Sequence, residues 1–208
     1  MKYVLATNNP GKIREMREIL PWYNIEFVTR KDIGIDIDIE IEETGATFEE
    51  NALLKANAIC SLSGLPSIAD DSGLLVDALG GAPGVYTSSF GGKNLTDSER
   101  CEYLLKKLKN THKRGAKFVC TIVCVFPGGR GIITAKGECP GRIADTLSGS
   151  GGFGYDPVFM PDGYDKTTAE MTPEEKNAIS HRGNALRKFS VLLHEWLLFR
   201  GYPLNSIE

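Results

Sequence analysis

Two consecutive aspartates, Asp70 and Asp71, followed by Ser72 and Gly73, set two carboxylates side by side in this 208-residue sequence. Carboxylates where a strand breaks are the usual site residues of an open α/β sheet. Neighbouring strand residues face opposite ways, so one Asp can point into a cleft while the other holds the backbone. A plain Asx turn would give the same four residues a structural role only. Glu42 and Glu43 close a stretch, Asp36 to Glu43, in which acids alternate with isoleucine. Either offers a second carboxylate to a hard cation, because Mg²⁺ takes one or two protein carboxylates and completes its shell with water and phosphate oxygens. A solvated acidic strand edge explains the pattern equally well.

Three further segments carry chemistry. Thr7, Asn8, Asn9, Pro10, Gly11 and Lys12 lie between a strand end and a helix start, where backbone N–H groups and a lysine suit a phosphate. The segment is not a P-loop, since Ile13 stands where the magnesium-binding hydroxyl belongs. Gly149 to Gly154 matches G-x-G-x-x-G, but Tyr155-Asp156-Pro157 follows. Proline disfavours a helix there, so the helix that receives a dinucleotide's pyrophosphate is missing. What is left is a glycine loop with two exposed rings, Phe153 and Tyr155, offering a stacking face for a base or a cover for the core. Lys176, His181 and Arg182 gather two cations and an imidazole at a helix junction, suited to gripping phosphate or a carbonyl oxygen.

The elements that position these residues follow from periodicity. A strand over Tyr3 to Ala6 leads to a helix over Lys12 to Leu20, and a short strand follows at Ile25 to Val28. Asp36 to Glu43 reads as a half-buried strand. Thr47 and Glu50 form a capping box for a helix to Ser63, with Ala52, Leu53, Ala56 and Ile59 inward. Ser67 to Val76 reads as a strand interrupted at its acidic residues. Thr96 or Asp97 opens a helix through Leu108. Phe118 to Phe126 and Ile132 to Glu138 read as a hairpin. Thr172-Pro173-Glu174-Glu175 starts a helix, and another runs from Ser180 to Arg200. Early alternation of helix and strand with later hairpins predicts an α/β fold on a mixed sheet.

Composition sets the outer limits. Hydrophobic residues make up 41% and charged residues 25%, with a net charge of -3. Disorder is excluded, and bulk charge would draw neither nucleic acid nor an anionic membrane. The absence of a long apolar stretch makes a cytoplasmic location the expectation. Five cysteines without a Cys-x-x-Cys pair predict buried thiols. His112 and His194 show no metal-ligand spacing with His181.

Five segments in order, Thr7 to Lys12, Ala69 to Leu74, Gly80 to Gly84, Gly152 to Pro157 and Ser180 to Gly183, resemble the signature of the non-canonical purine nucleoside triphosphate pyrophosphatases, the inosine/xanthosine triphosphatase family. The resemblance spans nearly the whole chain. It implies an elongated mixed sheet flanked by helices, in two lobes with a cleft between them, within one domain over 1–208. It implies Mg²⁺-dependent hydrolysis of ITP, dITP and XTP to the monophosphate and pyrophosphate, by a homodimer. Asp71 resembles the catalytic base and metal ligand, with Glu43 as the second acidic metal contact. Thr7, Asn8, Asn9, Pro10, Gly11 and Lys12 resemble the phosphate grip. Ser72, Phe153, Gly154, Tyr155, Asp156, Lys176, His181 and Arg182 resemble the other substrate contacts. A pyrophosphatase for pyrimidine or modified nucleotides, or a nucleotide sensor without catalysis, stands as the alternative.

Overall fold

The computed structural model describes residues 1–20, 25–35 and 41–201. Six strands form one mixed sheet in the order β2-β1-β3-β4-β5-β6, where β1 is Lys2–Leu5, β2 Glu26–Thr29, β3 Ser67–Val76, β4 Gly115–Phe126, β5 Gly131–Ile143 and β6 Phe159–Pro161. β1 runs parallel to β2 and β3, whereas β6 is antiparallel to β5. The helices are α1 (Pro10–Ile19), α2 (Phe48–Ser63), α3 (Asp97–Lys107), α4 (Pro173–Ile179) and α5 (His181–Phe199). The predicted α/β class and mixed sheet are what the chain forms.

By internal contacts the chain divides into two compact units, and each draws on several stretches of sequence. The first holds Met1–Asp71, Cys120–Gly137 and the segment from Ala185; the second holds Ser72–Val119 and Glu138–Asn184.

The first unit buries both faces of its strands. Tyr3 and Leu5 of β1, with Cys120, Ile122, Cys124 and Phe126 of β4, pack against Met16 of α1 and Leu186, Phe189, Leu193 and Leu197 of α5. The intervening residues Val4 and Ala6, with Val123 and Val125, meet Ala52, Ala56 and Ile59 of α2. Two covered faces explain why these strands read as continuous apolar runs instead of alternating ones. The second unit packs Leu74 and Val76 of β3 and Phe118 of β4 against Cys101 and Leu104 of α3 and Tyr155, Val158 and Phe159.

Several expectations need correction. β3 is one uninterrupted strand through Asp70 and Asp71, because both carboxylates are matched by cations and need no turn to reach water. Of the predicted strand Asp36 to Glu43, residues 36–40 lie outside the described residues, and 41–43 are not strand. β5 runs on past Pro140 to Ile143, pairing there with β6. Tyr155, expected as an exposed ring, is 2% exposed and belongs to the core.

Candidate active site

In the first unit, five charged side chains meet around the middle of β3. Lys12, in the first turn of α1, lies 3.0 Å from Asp70 Oδ2. Lys55 of α2 places its ammonium 3.0 Å from Glu43 Oε1 and 3.2 Å from Asp71 Oδ1. Asn51, one turn earlier on α2, donates through Nδ2 to Asp71 Oδ2 at 3.3 Å. Asp70 and Asp71 are both buried, and burial without a partner would be costly for a carboxylate. Burial pushes the Asp71 carboxyl above its ordinary value and Glu43 pushes the same way, while Lys55 and Lys12 pull it down. For Lys55, burial works against the charge, but Asp71, Asp70 and Glu43 outweigh it and hold the ammonium above its ordinary value.

The start of α1 is organised from within. Asn9 caps the helix, its Oδ1 accepting from Gly11 N–H at 2.9 Å and Lys12 N–H at 3.2 Å, and its own N–H donates to Thr7 Oγ1 at 3.2 Å. Two of the N–H groups expected to face a phosphate are thus engaged by the cap. Asn8, Asn9 and Pro10 are exposed, and Thr7, Gly11 and Lys12 half-buried.

In the second unit, the glycine loop is gathered around Asp156. Asp156 Oδ2 accepts from Phe153 N–H at 2.8 Å and from Lys176 Nζ at 2.7 Å, and Oδ1 accepts from Thr168 Oγ1 at 2.8 Å. Lys176 Nζ and Arg182 Cζ stand 4.7 Å and 5.6 Å from the centroid of the Phe153 ring. Arg182, almost wholly buried, donates from Nη2 to Ser72 Oγ at 2.9 Å. His181 stacks on Phe118 with centroids 4.6 Å apart and planes at 11°. α3 holds the loop at Gly154, whose N–H donates to Asp97 Oδ2 at 2.7 Å and whose carbonyl accepts from Cys101 Sγ at 3.3 Å. Gly154 has φ +62°, a left-handed conformation that favours glycine. Tyr155 supports the loop from beneath, donating its hydroxyl to the Thr87 carbonyl at 3.1 Å.

The structure therefore brings Lys12, Glu43, Asp70 and Asp71 together in one unit. It brings Ser72, Phe153, Asp156, Lys176 and Arg182 together in the other. Asp71 and Ser72 are consecutive residues of β3. Among the described residues, no group of three or more His, Cys, Asp or Glu side chains is placed to hold a metal ion, so Glu43 and Asp71 stand as a pair. The sequence profile of the Ham1 family matches residues 3–192. The chain belongs to the Ham1 family.

Similarity extends over the length of Ham1 relatives. The chain is 47% identical over 189 residues to the dITP/XTP pyrophosphatase of Yersinia pseudotuberculosis serotype I, covering 89% of this chain and 94% of that one. It is 50% identical over 197 residues to the dITP/XTP pyrophosphatase of Aquifex aeolicus, covering 90% and 94%. The solved Ham1 protein of Coxiella burnetii matches with a TM-score of 0.85 at 42% identity, over 94% of this chain and 99% of that one. The Ham1 protein of Staphylococcus aureus matches with a TM-score of 0.83 at the same identity, over 94% and 99%.

Sequence reasoning missed two residues of this Ham1 chain that touch Asp71, namely Asn51 and Lys55. The signal was present: the two stand four apart, on one face of a capped helix, where side chains are neighbours. Asn51 adjoins the inward Ala52, so an amide there needs a buried partner.

Proposed function

We propose that this chain is a nucleoside triphosphate pyrophosphatase that hydrolyses the non-standard purine nucleotides dITP, ITP and XTP to the monophosphate and pyrophosphate. The observation that carries the reading is the buried Asp71, facing Glu43 across one shared ammonium and standing beside the Lys12–Asp70 pair. Relatives that carry the name dITP/XTP pyrophosphatase, aligned over nine-tenths of the chain, supply the substrate class.

The donor set fits a divalent cation. Glu43 Oε1 and Asp71 Oδ1 already converge on one positive centre, and two hard oxygen ligands are what Mg²⁺ takes from a protein when phosphate oxygens complete its shell. Glu43 and Asp71 would hold Mg²⁺, which when bound neutralises charge on the polyphosphate.

Asp71 accepts the proton of the water that attacks the α-phosphorus. The bond from that phosphorus to the bridging oxygen breaks, and pyrophosphate leaves with the electron pair. Lys12 and Lys55 offset part of the roughly four negative charges of the triphosphate. The Phe153 ring offers a face to the purine, and His181, Arg182 and Lys176 supply donors for a 6-oxo group. Adenine presents an amino group there, and each buried donor it leaves unpaired costs about 1–3 kcal/mol. The same reading takes the working form to be a cytoplasmic homodimer.

The test is to incubate the protein with dITP and Mg²⁺ and identify the product. Pyrophosphate is expected, and orthophosphate alone would refute the reaction type. Asp71→Asn should lower turnover by about 10²-fold or more while dITP still binds; unchanged turnover would remove Asp71 from the mechanism. A pyrimidine triphosphate consumed as fast as dITP would overturn the substrate assignment.

A further inference from the structure

We propose that Asn51 is a positioning residue for the carboxylate pair, the side chain that sets the distance between the Glu43 segment and Asp71. Its effect on turnover rests on the pyrophosphatase reading, whereas its effect on cation binding rests on the Glu43–Asp71 pair proposed above to hold Mg²⁺ and on the contacts that Asn51 makes to both of their segments.

Asn51 is 2% exposed and makes two contacts of opposite polarity. Its Nδ2 donates to Asp71 Oδ2 at 3.3 Å, and its Oδ1 accepts from Gly45 N–H at 2.8 Å. Gly45 lies two residues beyond Glu43, so one amide ties the strand carrying Asp71 to the segment carrying Glu43. Lys55, on the same face of α2, bridges Asp71 Oδ1 and Glu43 Oε1. Both oxygens of Asp71 are therefore oriented from α2, one by a charge and one by an amide.

Only a carboxamide supplies a donor and an acceptor from one short branched terminus. Aspartate would lose the donor and set a second charge against Asp71, and leucine keeps the shape but loses both contacts. The partner segment is fitted to this amide. A Cβ at position 45 would stand 2.7 Å from Asn51 Oδ1 and 2.6 Å from Glu50 Cβ, so only glycine lets the segment approach. Glu50 Oε2 accepts from Ala46 N–H at 2.6 Å and Thr47 N–H at 3.2 Å, which secures the chain between the tie and the helix. Asn51 touches no phosphate or base in this scheme; it acts through the placement of Asp71 and Glu43.

The experiment compares the full chain with Asn51→Leu. Mn²⁺ affinity of the nucleotide-free protein, measured by electron paramagnetic resonance, should weaken about tenfold or more, the usual result of removing a group that orients a metal ligand. With dITP and Mg²⁺, kcat should fall about tenfold while KM for dITP changes less than about threefold, since no substrate contact is lost. Mn²⁺ affinity within about twofold of the wild-type value in a folded variant would overturn the proposal. Should Asn51→Leu not fold, the wild-type protein decides by NMR. Titration with Mg²⁺ should shift the Asn51 side-chain amide and the Gly45 N–H with a common midpoint, and unmoved resonances would refute the tie. A wild-type protein that releases no pyrophosphate from dITP, paired with a Leu variant that loses Mn²⁺, would sink the substrate assignment and leave Asn51's role standing.

Discussion

Asp71 is held between opposing forces, and their balance is measurable. Burial, the largest influence, raises its pKa above the ordinary 3.8, Glu43 adds to that, and Lys55 and Lys12 counter it. A carboxyl whose folded pKa is raised favours folding most at low pH, and that contribution is lost as pH rises through the folded value. Asp71 can act as a base only above the same value. In the metal-free protein, the side-chain carboxyl resonance of Asp71 should titrate with a midpoint above 3.8. Lys55→Met should move the midpoint higher still, because it removes the nearest cation. A midpoint that does not move in the variant would mean that Lys55 does not govern this carboxylate.

At the scale of elements, the helix starts show how local signals carry over into structure. α2, α3 and α4 each begin with a complete capping box, at Thr47–Glu50, Thr96–Glu99 and Thr172–Glu175, and a fourth box closes at Thr167–Glu170. The Thr96 N–H holds the Glu99 carboxyl below its ordinary 4.5. The Thr167 N–H does the same for Glu170, and Lys166, followed by the Thr172 N–H, does so for Glu175. Folded values that are depressed stabilise the protein above pH 4.5, and this is lost as pH falls through the folded values. The melting temperature should therefore drop on acidification below 4.5. A variant with Glu99→Gln and Glu175→Gln should be less stable than the wild type near neutrality, because the charge paired with Lys166 is gone, and should lose less on acidification over that range. An acid limb of unchanged steepness would assign the loss to other carboxylates.

The boxes at Thr47–Glu50 and Thr172–Glu175 were legible because four consecutive residues contain all their partners, whereas the one at Thr167–Glu170 was not read from the sequence. β3 was misread for the opposite reason. Asp70 and Asp71 look like strand breakers until Lys12 of α1 and Lys55 of α2 are brought against them, and nothing within the strand announces either lysine. Tyr155 misled in the same way, since its place in the core depends on α3 and on the distant Thr87 carbonyl. Residues whose type suggests chemistry, such as Asp71, Lys12 and Arg182, were singled out from the sequence, with the choice of Asp71 over Asp70 coming from the family resemblance. Asn51 was not, as an asparagine declares its use only through what it touches.

For the whole molecule, the α/β class followed from the order of elements, but the interleaving of the two units did not. The core of the first unit joins Tyr3 and Met16, Ile122 and Phe126, and Leu186 and Phe189, three remote stretches of sequence, and no periodicity records which stretches will meet. That division has a practical consequence for the five thiols. Every cysteine is buried and unbridged, with Cys60, Cys120 and Cys124 in the first unit and Cys101 and Cys139 in the second. Burial pushes the Cys101 thiol up to about 12 and that of Cys139 to about 11, leaving almost no reactive thiolate at neutral pH. The chain thus carries its own reporters of local opening: each sulfur is silent to an alkylating reagent until its surroundings loosen. Mass spectrometry of labelled peptides under mild denaturant would then read two clocks from one unmodified protein. Rapid labelling in native buffer would mean that the sulfur is open to solvent in the native fold.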